Sequence, residues 1–184
     1  MKKYNFVIAP TTCSITHTKA SQEAVKNKVT VATLPGITEE IMSQSIDIDY
    51  NKLKKLTNKV YSKVKNSKKI TIKTKSETKL SFLTKNRKWI KDSGNFKKEK
   101  LGNLPAGEVF IAPYEGTANG TLVIDWAIDD KKVYAKKGTI IKIKKGKVVA
   151  ISDSKCQLSK YFKTIKNSKN IAEFGIGTNY KAKL

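Results

Sequence analysis

Short apolar runs, each four to eight residues long and broken by lysine-rich polar stretches, set the pattern of this chain. Residues 5–10 (Asn-Phe-Val-Ile-Ala-Pro) read as a short buried strand. The polar loop 11–18 feeds a helix over 19–27, with Thr16 or Thr18 as its N-cap. A second strand is predicted over 29–32, and Leu34-Pro35-Gly36 reads as a turn. Thr38 then caps a helix whose first turn carries Glu39 and Glu40, the charge sign that a helix N-terminus prefers. This order of strand, helix, strand, helix predicts the C-terminal part of a Rossmann-like α/β layer.

Residues 49–66 place Leu53, Leu56, Val60 and Val64 at helical spacing with lysines between them, an amphipathic helix with a solvated basic face. The pattern then changes. Residues 69–74 alternate Lys, Ile, Thr, Ile, Lys, Thr and residues 79–83 form another short run, which together read as strands with one wet face. Residues 85–94 read as a basic turn carrying Trp89. Further strands are predicted over 121–128, 132–135, 139–144 and 147–152, with Lys145-Gly146-Lys147 as a hairpin signal. A last helix fits 155–166. The fold class expected is α/β, a remainder of a Rossmann-like domain over residues 1–75 followed by a β-rich α+β catalytic-domain fragment over 76–184. Opening on a buried strand and ending at Leu184, soon after an apolar run, leads us to expect a chain short at both ends.

The formal charge of +23 resembles a nucleic-acid signature until its composition is read: of 38 basic residues only Arg87 is an arginine, and the lysines are spread over the whole length. Specific recognition of phosphates and bases favours the planar fork of arginine, clustered on one face. The expectation is therefore no specific nucleic-acid partner, with salt-sensitive adhesion to polyanions from charge alone. Cys13 and Cys156 form no CxxC pair and read as reduced thiols. No apolar stretch approaches the roughly 20 residues of a membrane helix, and no signal peptide is visible, so a cytoplasmic protein without a membrane partner is expected.

Candidate chemistry centres on residues 101–125. Glu108 lies between a Pro-Ala-Gly turn and the apolar Val109-Phe110-Ile111. A carboxylate opening a buried strand is costly unless a metal ion, a buried Lys or Arg, or turn amides meet it. Glu173 repeats the situation in a glycine-flanked apolar run. His17 reads as a capping or packing residue, Trp89 and Trp126 as anchors of a core or a subunit contact, and Glu115 and Asp125 as loop and strand-end carboxylates.

Four segments in order carry a resemblance that covers nearly the whole chain: Ser14-Ile15-Thr16-His17-Thr18, Ala32-Thr33-Leu34-Pro35-Gly36-Ile37-Thr38-Glu39-Glu40, Asn103-Leu104-Pro105-Ala106-Gly107-Glu108-Val109-Phe110 and Ala172-Glu173-Phe174-Gly175-Ile176-Gly177-Thr178-Asn179. The set resembles the leucyl aminopeptidase (aminopeptidase T) type of metallopeptidase. That resemblance implies a pair of divalent metals (Zn, Co, Mn or Fe) held by two glutamates, two histidines and an aspartate. Glu108 matches the first glutamate and Glu173 the second, which bridges the metals. It also implies a peptide substrate with a free α-amino group and a homodimer. The family's histidines and aspartate follow the segment matched by 172–179, where this chain ends, and the family's Gly-Thr-Asp is altered, with Glu77 and Lys79 flanking Thr78. The expectation is a metallo-aminopeptidase fragment inactive alone. An iron-dependent ring-opening dioxygenase of the same superfamily and a basic non-enzymatic binding module are the competing readings.

Overall fold

The computed structural model describes residues 4–97, 100–125 and 135–182. The chain divides into two compact units, residues 1–64, 90–110 and 175–184 in the first and 65–89 and 111–174 in the second.

The first unit holds two small sheets. In one, β1 (Phe6–Thr11), β2 (Thr30–Pro35) and β6 (Leu101–Asn103) run parallel in the order β1-β2-β6. Central β2 is the strand buried along its length, because it has a hydrogen-bonded neighbour on each side. β1 was expected to be buried and is not: in this sheet it has β2 on one side only, so Phe6 is 46% and Ile8 62% exposed and only Ala9 is buried. The helix α1 (Lys19–Lys26) connects β1 to β2, starts at Thr18, whose hydroxyl accepts from Ser21 N, and packs Ala24 and Val25 on Val29, Val31, Val7 and Leu101. The arrangement is α/β, with three parallel strands. Its third strand comes from residues 101–103, beyond the segment from which a Rossmann-like layer was expected.

Thr38 caps α2 (Glu39–Ile41), which continues as one π-helical turn, Met42–Ile46, before α3 (Tyr50–Val64). The expected basic turn over 85–94 contains instead a strand, β5 (Ile90–Asp92). It is one edge of the unit's other sheet, ordered β11-β7-β5, where β7 is Glu108–Ile111 and β11 is Phe174–Gly177.

The second unit is a five-stranded antiparallel sheet ordered β10-β9-β8-β4-β3, made of β3 (Lys69–Lys73), β4 (Lys79–Leu83), β8 (Asn119–Val123), β9 (Ile140–Lys144) and β10 (Lys147–Ile151). The period-two alternation places Leu80, Phe82, Ile141, Ile143 and Val148 inward, and Phe162 and Leu158 of α4 (Gln157–Thr164) pack on them. Burying a side chain of that size stabilises by about 1.5–3 kcal/mol. Lys145 and Gly146 both take positive φ, the conformation the predicted β9–β10 hairpin needs. Cys156 serves as the N-cap of α4: its thiol accepts from Ser159 N and donates to Asp153 O at 3.1 Å. Cys13 is an exposed free thiol. Trp89 is 2% exposed, donates to Ser67 Oγ at 3.2 Å and meets Phe174 edge-on, a core anchor as its sequence context indicated. The strand predicted over 121–128 appears as β8; its end, Trp126, Asp129-Asp130 and most of the one predicted over 132–135 lie outside the described residues. Among the described residues no helix is long and apolar enough to cross a membrane.

One titratable group in the first unit senses its packing. Tyr50 lies against Gly94, where an added Cβ would meet the ring at 2.6 Å, and burial first, then the negative charge of Asp92, raises its phenol above the ordinary 10.0. Above pH 10 the unfolded chain gives up this proton before the folded one, so this contribution to stability is complete below that pH and is lost as pH rises. Denaturant midpoints followed from about pH 9 to 11 should fall less steeply for Tyr50→Phe than for the unmodified protein.

Candidate metal centre

Glu108 opens β7, and the chain leading to it is held by the segment that follows β11. Asn179 Nδ2 donates to Ala106 O and to Ser45 O, both at 3.0 Å, and Thr178 N donates to Gly107 O at 2.7 Å. Thr178 is buried and its hydroxyl shares a hydrogen bond of 2.8 Å with the buried Thr57 of α3, which also donates to Leu53 O. Between these clamps Gly107 has φ +121, and a Cβ there would stand 2.7 Å from Asn179 N and 2.9 Å from Leu53 Cδ1. Glycine is required on both counts. The polar residues of the Gly177-Thr178-Asn179 run therefore do a structural job: they fix the backbone immediately before Glu108.

The half-buried Glu108 side chain extends over β11. A Cβ added at Gly175 would overlap its Oε1 and lie 3.0 Å from Cδ. The missing side chain at Gly175 is the space the carboxylate occupies. On the other side of β7, Asp92 of β5 is the direct cross-strand partner of Glu108, so both carboxylates leave the same face of the sheet. Like charges in such a pair repel, and cationic surroundings relieve them. Asp92 Oδ1 accepts from Gly94 N at 3.0 Å, which sets its orientation. Sequence reading passed over Asp92, whose only signal is a lone acid in a lysine-rich stretch; the pairing with Glu108 is a matter of register.

Glu173 directly precedes β11 and is exposed, in the second unit. Its chain neighbour Ala172 lines a cleft of about 490 Å³ in that unit, with Pro113, Glu115, Lys145, Lys147 and Asn170. Glu115 pairs with Arg87, whose hydrogen bond holds the Glu115 carboxyl below the usual carboxylate range. Both groups reach solvent, so the pair adds little stability. Asp125 is exposed beyond β8. His17 is exposed and neither caps nor packs as expected, because Thr18 provides the cap and Thr16 turns inward to Thr33 and Asn103.

A carboxylate suited to ligate a divalent ion offers oxygen donors whose position is fixed. Glu108 meets that description: a carboxylate in a cradle that a Cβ would fill, on a backbone clamped on its N-terminal side. Among the described residues no group of three or more His, Cys, Asp or Glu side chains stands together as a metal-ligating set.

Comparison with known proteins agrees on fold and family. Residues 20–183 match the model of the thermophilic metalloprotease (M29) family. The structure of 2,5-dihydroxypyridine dioxygenase from Pseudomonas putida KT2440 superposes with a TM-score of 0.81 at 17% identity, covering 99% of this chain and 53% of that one. Wild-type AmpT from Thermus thermophilus superposes with a TM-score of 0.58 at 14% identity, covering 96% of this chain and 56% of its own. The chain thus spans about half the length of these solved structures, and at such identities the likeness speaks for the fold. No curated protein matches the sequence. The match over residues 20–183, most of the sequence, shows that the chain belongs to the thermophilic metalloprotease (M29) family.

Proposed function

We propose that this chain contributes two carboxylate ligands, Glu108 and Glu173, to the divalent-metal centre of a metal-dependent aminopeptidase that releases N-terminal residues from peptides. Family membership supports the metallopeptidase class. The observation that carries the reading is the pairing of β7 with β11, which sets Glu108–Ile111 beside Phe174–Gly177 in one sheet and seats the Glu108 carboxylate over Gly175. When bound, a divalent ion supplies Lewis-acid activation of water and of the peptide carbonyl. The part played by this chain is orientation: Asn179 and Thr178 hold the Ala106 and Gly107 carbonyls, and through them the direction in which Glu108 leaves the strand. The carboxylate stays ionised beside a cation, which offsets the cost of its partial burial. Zn, Co, Mn and Fe all accept such donors. The whole enzyme is proposed to be a cytoplasmic homodimer.

The competing reading is a ring-opening dioxygenase, since a 2,5-dihydroxypyridine dioxygenase shares the fold. At 17% identity that likeness does not reach the chemistry, whereas the family match does bear on it. Assays of the whole enzyme, with its histidine and aspartate ligands present and loaded in turn with Zn, Co, Mn and Fe, should show release of the N-terminal residue from dipeptides and no consumption of dihydroxypyridines, and this chain alone should release none; consumption of dihydroxypyridines without peptide cleavage would replace the peptidase by the dioxygenase.

Calorimetric titration of the whole enzyme with Co²⁺ or Mn²⁺ should show Glu108→Gln and Glu173→Gln each weakening metal affinity by about 10–100-fold. Unchanged affinity in both variants would remove these residues from the metal shell.

Gly175→Ala should push the Glu108 carboxylate off β11. We expect a loss of about 1–3 kcal/mol in stability from overpacking, measured by denaturant unfolding. Gly177→Ala is the matched control on the same strand, since a Cβ there meets nothing within 4 Å.

A further inference from the structure

The wet face of the five-stranded sheet in the second unit organises charge that composition alone spreads evenly. Cross-strand partners point to the same side of a sheet, so register shows which residues share this face. One row across the strands reads Lys73, Lys79, Thr121, Lys142 and Ala150. The adjacent row contains Thr71, Ser81 and Asn119, and it continues with Lys144 and Lys147, which face each other across the β9–β10 hairpin. Lys73 and Lys79 are likewise direct partners. Two like-charge pairs are thus built into one face. Direct like-charge neighbours are destabilising, and the outward positions of these strands carry no carboxylate; the acids nearest the pairs in the chain or the cleft are Glu77, in the β3–β4 turn, and Glu115, which shares a cleft with Lys147.

The lysines form two groups, Lys69, Lys73 and Lys79 on β3 and β4, and Lys142, Lys144 and Lys147 on β9 and β10. Between them β8 presents Asn119 and Thr121, short hydrogen-bonding side chains without charge. With neighbouring strands roughly 4.8 Å apart, the centres of the two groups stand about 14 Å from each other. That separation suits two rows of phosphates flanking a groove about 12 Å wide. The outward positions of these strands carry no aromatic side chain on which unpaired bases could stack and no arginine fork to read base edges.

We propose that this face is a docking surface for double-stranded DNA, held through its phosphates with Lys69, Lys73 and Lys79 on one side of the groove and Lys142, Lys144 and Lys147 on the other, without reading sequence. This agrees with the absence of a specific nucleic-acid signature in the composition and gives the predicted salt-sensitive adhesion a place. The proposal stands on the second unit alone and does not depend on the metal centre.

Fluorescence anisotropy with a labelled duplex of about 20 base pairs, titrated over about 50–200 mM salt, tests it. The variant K73Q/K79Q/K142Q/K144Q/K147Q should bind about 30-fold more weakly or worse near 100 mM salt, with the slope of log affinity against log salt reduced in size by about 4–5. The variant K54Q/K55Q/K59Q/K63Q/K65Q, which removes equal charge from the exposed side of α3 and its end, should stay within about 3-fold of the unmodified protein. Amine-reactive acylation of the unmodified protein, read lysine by lysine with and without duplex, gives an answer that needs no substitution. Protection should fall on the six sheet lysines and not on the five of the helix set. Equal losses in both variants, protection spread evenly, no binding by the unmodified protein, or tighter binding of the separated single strand would each overturn the proposal.

Discussion

The Glu108 carboxylate occupies the volume that a side chain at residue 175 would fill, and much of the first unit exists to keep that fit. A strand pairs with its neighbour at about 4.8 Å, so a side chain that leans across the adjacent strand needs a residue there without a Cβ. Gly175 provides it on one side. On the other, the register of β5 sets Asp92 opposite, adding a second negative charge to the same face. Asn179, Thr178 and Thr57 form a run of hydrogen bonds from the end of β11 to α3 that leaves the backbone before Glu108 little freedom. Such a run behaves as a unit, because each buried hydroxyl or amide loses its partner if one link is removed.

The two units solve the solubility of a lysine-rich chain differently. In the first, the long helix α3 turns Leu53 and Thr57 inward and leaves its lysines in water. In the second, the alternation of β3, β4 and β9 puts every other residue into solvent, so lysines meet across strands, whereas on α3 Lys55, Lys59 and Lys63 follow one another four apart along the helix.

Family membership and fold likeness answer separate questions. The match over residues 20–183 assigns the chain to the metalloproteases. The backbone superposes with a higher TM-score on a dioxygenase than on AmpT, which shows that the scaffold serves more than one chemistry and that the site has to be argued from its side chains.

The amino-acid sequence by itself determined the local elements whose signals are local: the helix capped at Thr18, the amphipathic α3, the alternating strands β3, β4 and β9, the hairpin at Lys145-Gly146, and the segments that name the family. It also picked out Glu108 by the cost of placing a carboxylate at the head of an apolar strand. Tertiary structure decided what depends on neighbours far along the chain. Strands of three or four residues such as β5 and β6 carry too little periodicity to be read, and they form because a partner strand supplies their hydrogen bonds. The exposure of β1 follows from its having one neighbour in its sheet, which no pattern within residues 6–11 encodes. The fit of Glu108 to Gly175 and the meeting of Asp92 with Glu108 are facts of register, and register is fixed only when whole sheets pack.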